Sequence, residues 1–201
     1  MSGFDQERPT KQDSKWFAAY TASHHEKQVA RQLSDRLVHS YLPLYKAQRR
    51  WKKRPALTID IPLFPNYVFV RIPRSQRNAV LGTPGVYSIV GSRSNPWELP
   101  GWEIEALRAG LPKRKAQPHP YLAIGDRARI KSGVMAGLEG VIVRQKNNLH
   151  LVLSLDQIMQ SIAIEVAPEE LDAIPGVALK LSGNSSWSVR GSFSAVSSIA
   201  S

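Results

Sequence analysis

Ile61-Pro-Leu-Phe-Pro-Asn-Tyr-Val-Phe-Val70 is the stretch on which the reading of this chain turns. Its second half, Tyr67-Val-Phe-Val70, is a continuous apolar run suited to a central strand. Its first half holds Leu63 and Phe64 between two prolines, which keep the backbone extended just before that strand. An apolar side chain fixed in this way either closes the domain's own core or stands out as an interface anchor. At an interface such an aromatic anchor is worth ~2 kcal/mol or more. On the residues alone both readings stay open.

Working outward, Lys15-Trp-Phe-Ala-Ala-Tyr-Thr21 is short and apolar and reads as a buried strand. Ser23 with Glu26 three residues later suggests a capping box. Val29, Leu33 and Leu37 then recur at helical spacing, which predicts an amphipathic helix to about Val38. Tyr41 to Ala47 reads as an edge strand, because Pro43 cannot donate to a central ladder. Leu57 to Ile61 alternates as a strand, Ser75 to Leu81 is a short helix, Val86 to Val90 a strand and Trp102 to Ala109 a helix. The order β-α-β-β-β-α-β-α predicts an α+β fold, a small antiparallel sheet with helices on one face. Beyond it, Asp126–Lys131, Gly140–Arg144, Leu149–Leu155 and Ser161–Val166 are short alternating segments broken at glycine and asparagine. They predict a small β-barrel of four or five strands.

The charge divides along the same line. The 201 residues carry 27 basic and 16 acidic side chains, a formal charge of +11. Residues 15–120 hold 18 basic against 6 acidic side chains, whereas residues 121–174 hold 5 against 7. A basic module joined to a near-neutral one suggests a polyanion reader tied to a protein-contacting unit. The expected organisation is a polar arm at 1–14, a first domain at 15–112 and a proline-stiffened basic linker at 113–120. A second domain at 121–174 and a serine-rich disordered tail at 175–201 complete it.

Several classes fall away. With no cysteine there is no disulfide scaffold, thiolate zinc site or cysteine nucleophile. The five histidines, His24, His25, His39, His119 and His150, show no metal-ligand spacing. No carboxylate couple, nucleophile elbow or phosphate loop stands out, so neither catalytic residues, metal nor cofactor is expected. No apolar run approaches the ~20 residues of a membrane span, and Met1 to Ser14 does not read as a secretory signal. The expectation is a cytoplasmic protein with no membrane partner.

The densest charge run is Lys46-Ala-Gln-Arg-Arg-Trp-Lys-Lys-Arg54. Its cations Lys46, Arg49, Arg50, Lys52, Lys53 and Arg54 repel one another unless a polyanion relieves them, and Trp51 offers a flat face for a base. A solvated hairpin tip is the plainer alternative. The polar side of the first helix, His24, His25, Lys27, Gln28 and Arg31, adds candidates for nucleic-acid contact.

Taken together, Trp16-Phe-Ala-Ala-Tyr20, the helix from His24, Pro62 to Val70 and Thr83-Pro-Gly-Val-Tyr-Ser-Ile-Val-Gly91 resemble the N-terminal domain of the NusG family. Gly125 to Val141 is similar to the KOW motif that opens the family's C-terminal barrel, with Gly125, Arg129, Ile130, Gly133, Gly137 and Gly140 as its marks. The resemblance implies a ferredoxin-like N-terminal sheet, an SH3-like KOW barrel and a monomeric transcription factor that rides on RNA polymerase. It implies binding to the β′ clamp helices through Tyr20, Phe64, Tyr67 and Phe69, with the basic loop and helix start beside upstream or non-template DNA. Asn66 stands where the housekeeping factor usually has glycine, and Ser154 to Gln160 replaces the stretch used for Rho and a ribosomal protein. Leu151 to Val166 looks more like the antiterminators of polysaccharide operons, so the resemblance points to an RfaH- or UpxY-like paralogue. The alternatives are the general factor coupling polymerase to Rho and a KOW-containing RNA-binding module of translation. The excess of acid in 121–174 argues against the last.

Overall fold

A computed structural model describes residues 14–49, 57–92, 94–121, 125–145 and 148–174. Expectations for the arm, the tail and the loop tip at Arg50, Trp51, Lys52, Lys53 and Arg54 lie outside the described residues. Among the described residues no helix is long and apolar enough to cross a membrane.

The chain folds as a mixed α and β protein built from antiparallel sheets with few helices. The N-terminal sheet has the order β2 (His39–Tyr41), β5 (Tyr67–Ile72), β1 (Lys15–Thr21), β6 (Val86–Ile89). The apolar run of β5 therefore lies in the interior of the sheet, paired with β1 and β2. Directly opposed residues share a face. Phe17↔Val70 and Ala19↔Val68 point one way, Ala18↔Phe69 and Tyr20↔Tyr67 the other.

The first face is closed by α1 (Glu26–Asp35) and α2 (Arg77–Leu81), with Val29, Leu33 and Val80 buried against Phe17, Val68, Val70 and Ile72. The second face meets α3 (Gly101–Gly110) through Ile104 and Leu107, in a cluster with Trp16, Ala18 and Phe69. Helices thus occupy both faces, which corrects the one-face expectation. The apolar residues of β1 alternate to both sides, and each side needs cover.

Other expectations shift locally. The Tyr41–Ala47 strand is two strands. β2 ends at Tyr41 and joins β5, while β3 (Leu44–Arg49) forms a separate two-stranded hairpin with β4 (Leu57–Pro62). Pro43 sits at the break, where it donates nothing. The helix α1 stops at Asp35, because Leu37 turns left-handed with φ 59° and stands 93% exposed. The expected capping box does not form, since no side chain caps the helix and Glu26 is engaged elsewhere.

The C-terminal sheet has the order β12 (Leu171–Ile174), β8 (Arg127–Ile130), β9 (Glu139–Gln145), β10 (Asn148–Leu155), β11 (Gln160–Val166), β7 (Ala116–His119). The strand β7 lies inside the segment read as a linker. It pairs with β11 from Ser161↔His119 to Ile164↔Ala116. Pro118 is tolerated because β7 is an edge strand. Arg114 ties the start of this segment to the sheet, donating to both carboxylate oxygens of Glu170 at 3.1 and 2.6 Å and to the Glu165 carbonyl at 3.3 Å. These bonds from Arg114, and a further one from the Ala167 N–H, hold the Glu170 carboxyl down at about 2. Little slack is left between α3 and the second sheet.

Candidate functional site

The residues singled out from the sequence come together from three stretches. Tyr20 lies next to the end of β1, Tyr67 begins β5, and Phe64 precedes β5 by one turn. In that turn the Tyr67 N–H donates to the Phe64 carbonyl at 3.2 Å. Asn66 sits at φ 69°, and its N–H donates to Glu26 Oε1 at 2.8 Å while its carbonyl accepts the Thr21 N–H at 2.8 Å. Glu26, 5% exposed, therefore fixes the turn rather than capping α1. Glycine adopts this backbone without strain, and asparagine is among the few side chains that tolerate it.

Around the turn the rings form two adjoining groups that make up an aromatic field, with Tyr67 packed against the cluster that holds Phe64 and Phe69. Phe64 meets Phe69 edge-on at 5.4 Å between centroids, and Tyr41 stacks on Phe69 at 6.3 Å. Tyr20 lies 5.5 Å from Tyr67. Burial raises the Tyr67 hydroxyl above its ordinary value, with Tyr20 adding to it, and burial lifts that of Tyr41 far higher.

The field is half covered. Phe64 and Phe69 are 1% and 0% exposed, whereas Tyr20 is 38% exposed. The cover includes the C-terminal sheet. Phe64 and Phe69 belong to one apolar cluster with Leu138, Leu153, Leu155, Ile158 and Ile162. Phe64 also faces Leu107 of α3 and Leu138, Leu153 and Leu155 across a cavity of about 310 Å³. Gln160 Nε2 donates to the Pro65 carbonyl at 3.0 Å, a bond between the two sheets. Gly110 at the end of α3 lies so close to Met135 that an added Cβ would overlap its side chain.

The cavity wall carries an acidic mismatch. Burial, and then Asp156, raise the Glu103 carboxyl above its usual range. Asp156 accepts a hydrogen bond from the Tyr121 hydroxyl at 3.0 Å.

Sequence reasoning missed Tyr87. Simple alternation would put it on the face of Ile89, in the core. Instead the β1–β6 register shifts between Tyr20 and Thr21, and the Tyr87 ring lies 5.9 Å from Tyr20. It is 67% exposed. The turn glycine Gly85 just before β6, at φ 90°, was the one visible signal of an irregular entry.

The nucleic-acid candidates are open. His24, His25, Lys27, Gln28 and Arg31 are exposed around the start of α1, and Lys46 is exposed on β3. The backbone of Arg49 closes β3. Among the described residues no hydrogen bond joins the start of α1 to Lys46. Of the glycines read as a KOW opening, Gly133 and Gly137 adopt φ 84° and 87° in the turn between β8 and β9, where side chains are disfavoured. Gly125 takes φ 148°, and Gly140 lies against the Val152 backbone. Ile130 is buried, and Arg129 on the exposed side pairs with Glu139. Among the described residues, no three His, Cys, Asp or Glu side chains stand together as a metal site.

These features define a protein whose aromatic face is shared between its own N-terminal and C-terminal sheets. Residues 14–108 match the family model described as transcription termination factor nusG. Those residues form a NusG-family domain. It is 24% identical over 174 residues to the transcription termination/antitermination protein NusG of Staphylococcus aureus strain Mu50, covering 80% of this chain and 96% of that protein. The protein of strain N315 gives the same values. A solved structure titled "Domain interaction in Thermotoga maritima NusG" aligns at TM-score 0.53 and 23% identity, over 82% of this chain and 99% of that one. At that identity the likeness concerns the fold.

Proposed function

We propose that this chain is a transcription termination/antitermination factor of the specialised, RfaH- or UpxY-like branch. It binds RNA polymerase at the β′ clamp helices through Tyr20, Phe64, Tyr67 and Phe69. Residues 15–112 act as the ferredoxin-like polymerase-binding domain, and 121–174 as an SH3-like KOW barrel. The observation that carries this reading is the meeting of Tyr20 from β1 with the Phe64–Phe69 stretch in two adjoining ring pairs, Tyr20 with Tyr67 and Phe64 with Phe69, the first of them partly open. Such rings supply large anchoring area at small entropic cost, which is why aromatics dominate interface energetics.

The mechanism needs no chemistry. A factor that grips both sides of the DNA cleft favours the closed, elongating clamp by its difference in affinity for the closed and open states. The exposed cations at the start of α1 and on β3 add salt-dependent attraction to upstream or non-template DNA. In the arrangement seen here the C-terminal sheet lies where the polymerase would reach Phe64, so full engagement requires the two sheets to part. Gln160, in the segment that departs from the housekeeping pattern, holds the aromatic turn instead of an outside partner. That contact favours the specialised reading.

The test is binding to core RNA polymerase together with readthrough at terminators. Phe64→Ala and Tyr67→Ala should each weaken binding about tenfold or more and reduce readthrough. Unchanged binding by a folded Phe64→Ala protein would refute the assignment. Capture of Rho by the full chain would replace the specialised branch with the general one.

A further inference from the structure

The corner of the first face beside α2 holds a cavity of about 260 Å³. Three neighbouring strands supply its floor. Ile72 of β5, Phe17 of β1 and Ile89 of β6 point to one side, since Lys15 opposes Ile72 and Ala19 opposes Ile89. Pro96, also buried, closes a wall. That wall is fixed by the backbone. Gly91 and Pro96 form a β-bridge, and the Trp97 N–H donates to the Val90 carbonyl at 2.9 Å. Gly91 takes φ 112°, and an added Cβ would overlap the Pro96 and Trp97 backbone.

Two guanidinium groups line this cavity, and they are not equivalent. Arg74 is already engaged: its Nη2 donates to Asn95 Oδ1 at 3.1 Å and lies 3.7 Å from Glu98 Oε1. Arg77 of α2 is half-buried, and its Nε–H is buried without an acceptor. Among the described residues no carboxylate pairs with it. A buried donor in that state has lost its water and gained nothing in return. An anionic oxygen in the cavity would supply the missing partner.

We propose that this cavity binds a small ionised carboxylic acid with an apolar body, a single ring or a short branched chain. The body rests on Phe17, Ile72, Ile89 and Pro96. The carboxylate accepts from the Nε–H and a neighbouring Nη–H of Arg77, the side-on pairing that a planar guanidinium offers. The volume sets the size, because it falls just below the ~300–1,000 Å³ of ordinary ligand pockets. The charge sets the class. One unpaired cation balances one negative charge, and Glu98 beside Arg74 opposes the second charge of a phosphate monoester. The site lies on the face of the sheet opposite Phe69 and Tyr67, so it stands independently of polymerase binding.

The experiment is titration of the full chain with phenylacetate, followed by the backbone amide shifts of Arg77 and Ile89 in NMR spectra. Phenylacetate should bind at about 1 mM or tighter. Phenylacetamide, which has the shape without the charge, and acetate, which has the charge without the body, should each bind about tenfold more weakly or worse. Arg77→Gln should weaken phenylacetate about tenfold or more and leave phenylacetamide unchanged. Arg77→Lys, which keeps the charge and loses the fork, should recover only part of the affinity. No saturable shift at these amides with about 10 mM phenylacetate would overturn the site. Equal affinity for acid and amide, or unchanged phenylacetate binding by Arg77→Gln, would overturn the pairing with Arg77. Should Arg77→Gln fail to fold by circular dichroism, undiminished binding by Arg77→Lys would overturn it instead.

Discussion

The two faces of the N-terminal sheet are built differently. One is closed from within residues 17–89 by α1 and α2, with Leu33, Val68 and Val70 fully buried. The other borrows its cover from α3 and from a second sheet. That join carries a cavity of about 310 Å³, a raised carboxyl at Glu103 and rings left open at its margin. A dense face made of local elements serves the fold. An imperfect face, covered by a separable part of the chain, can exchange that cover for another protein.

Substitutions on each face sharpen the contrast. Leu33→Ala on the first face should cost ~2–5 kcal/mol and lower the urea midpoint of the whole N-terminal sheet. A loss under ~1 kcal/mol would show that the first face is not the dense one. Gly110→Gln on the second face should cost ~1–3 kcal/mol of the packing between the sheets. Scattering should then report a larger radius, while hydrogen exchange in β1 and β5 stays protected. Loss of that protection would show that the N-terminal sheet depends on its neighbour.

The first face was legible in the sequence because its cover is close in the chain. The apolar runs in Lys15–Thr21 and Tyr67–Val70 and the helical spacing of Val29 and Leu33 report local burial well. The second face was not, because the prolines around Leu63 and Phe64 record an extended backbone without recording whether Phe64 is covered, or by what. The strand β7 hid inside a proline-rich run, since edge strands tolerate proline and so lose the usual signal. Glu26 resembled a capping partner because the sequence does not show the long-range N–H of Asn66 that claims it. Tyr87 went unnoticed because a one-residue shift of register between strands leaves no mark in the sequence.

Smaller effects come from the two carboxylates. The Glu170 carboxyl is held at about 2 in the folded chain, against an ordinary value of ~4.3 when unfolded. Its pairing with Arg114 therefore stabilises the fold fully above pH ~4.3 and is lost as pH falls toward ~2. Because the pair is partly exposed, Glu170→Gln should cost only about 0.5–1 kcal/mol at neutral pH and flatten the acid limb of thermal denaturation. Glu103 has the opposite sign. Its raised value means that the charged form opposes closure at neutral pH, a penalty relieved as pH falls through the folded value toward ~4.3. Glu103→Gln should raise the melting temperature slightly at pH 7 and leave it unchanged in acid. A lower melting temperature at pH 7 would contradict the buried-mismatch account.

The most direct test of the shared face is the affinity of the full chain for core RNA polymerase, measured with and without Gly110→Gln. Parting the sheets should tighten binding, and adding Phe64→Ala to the same protein should abolish the gain. Equal affinity before and after the sheets part, with Phe64→Ala silent in both, would contradict the claim that this aromatic face passes from the C-terminal sheet to the polymerase.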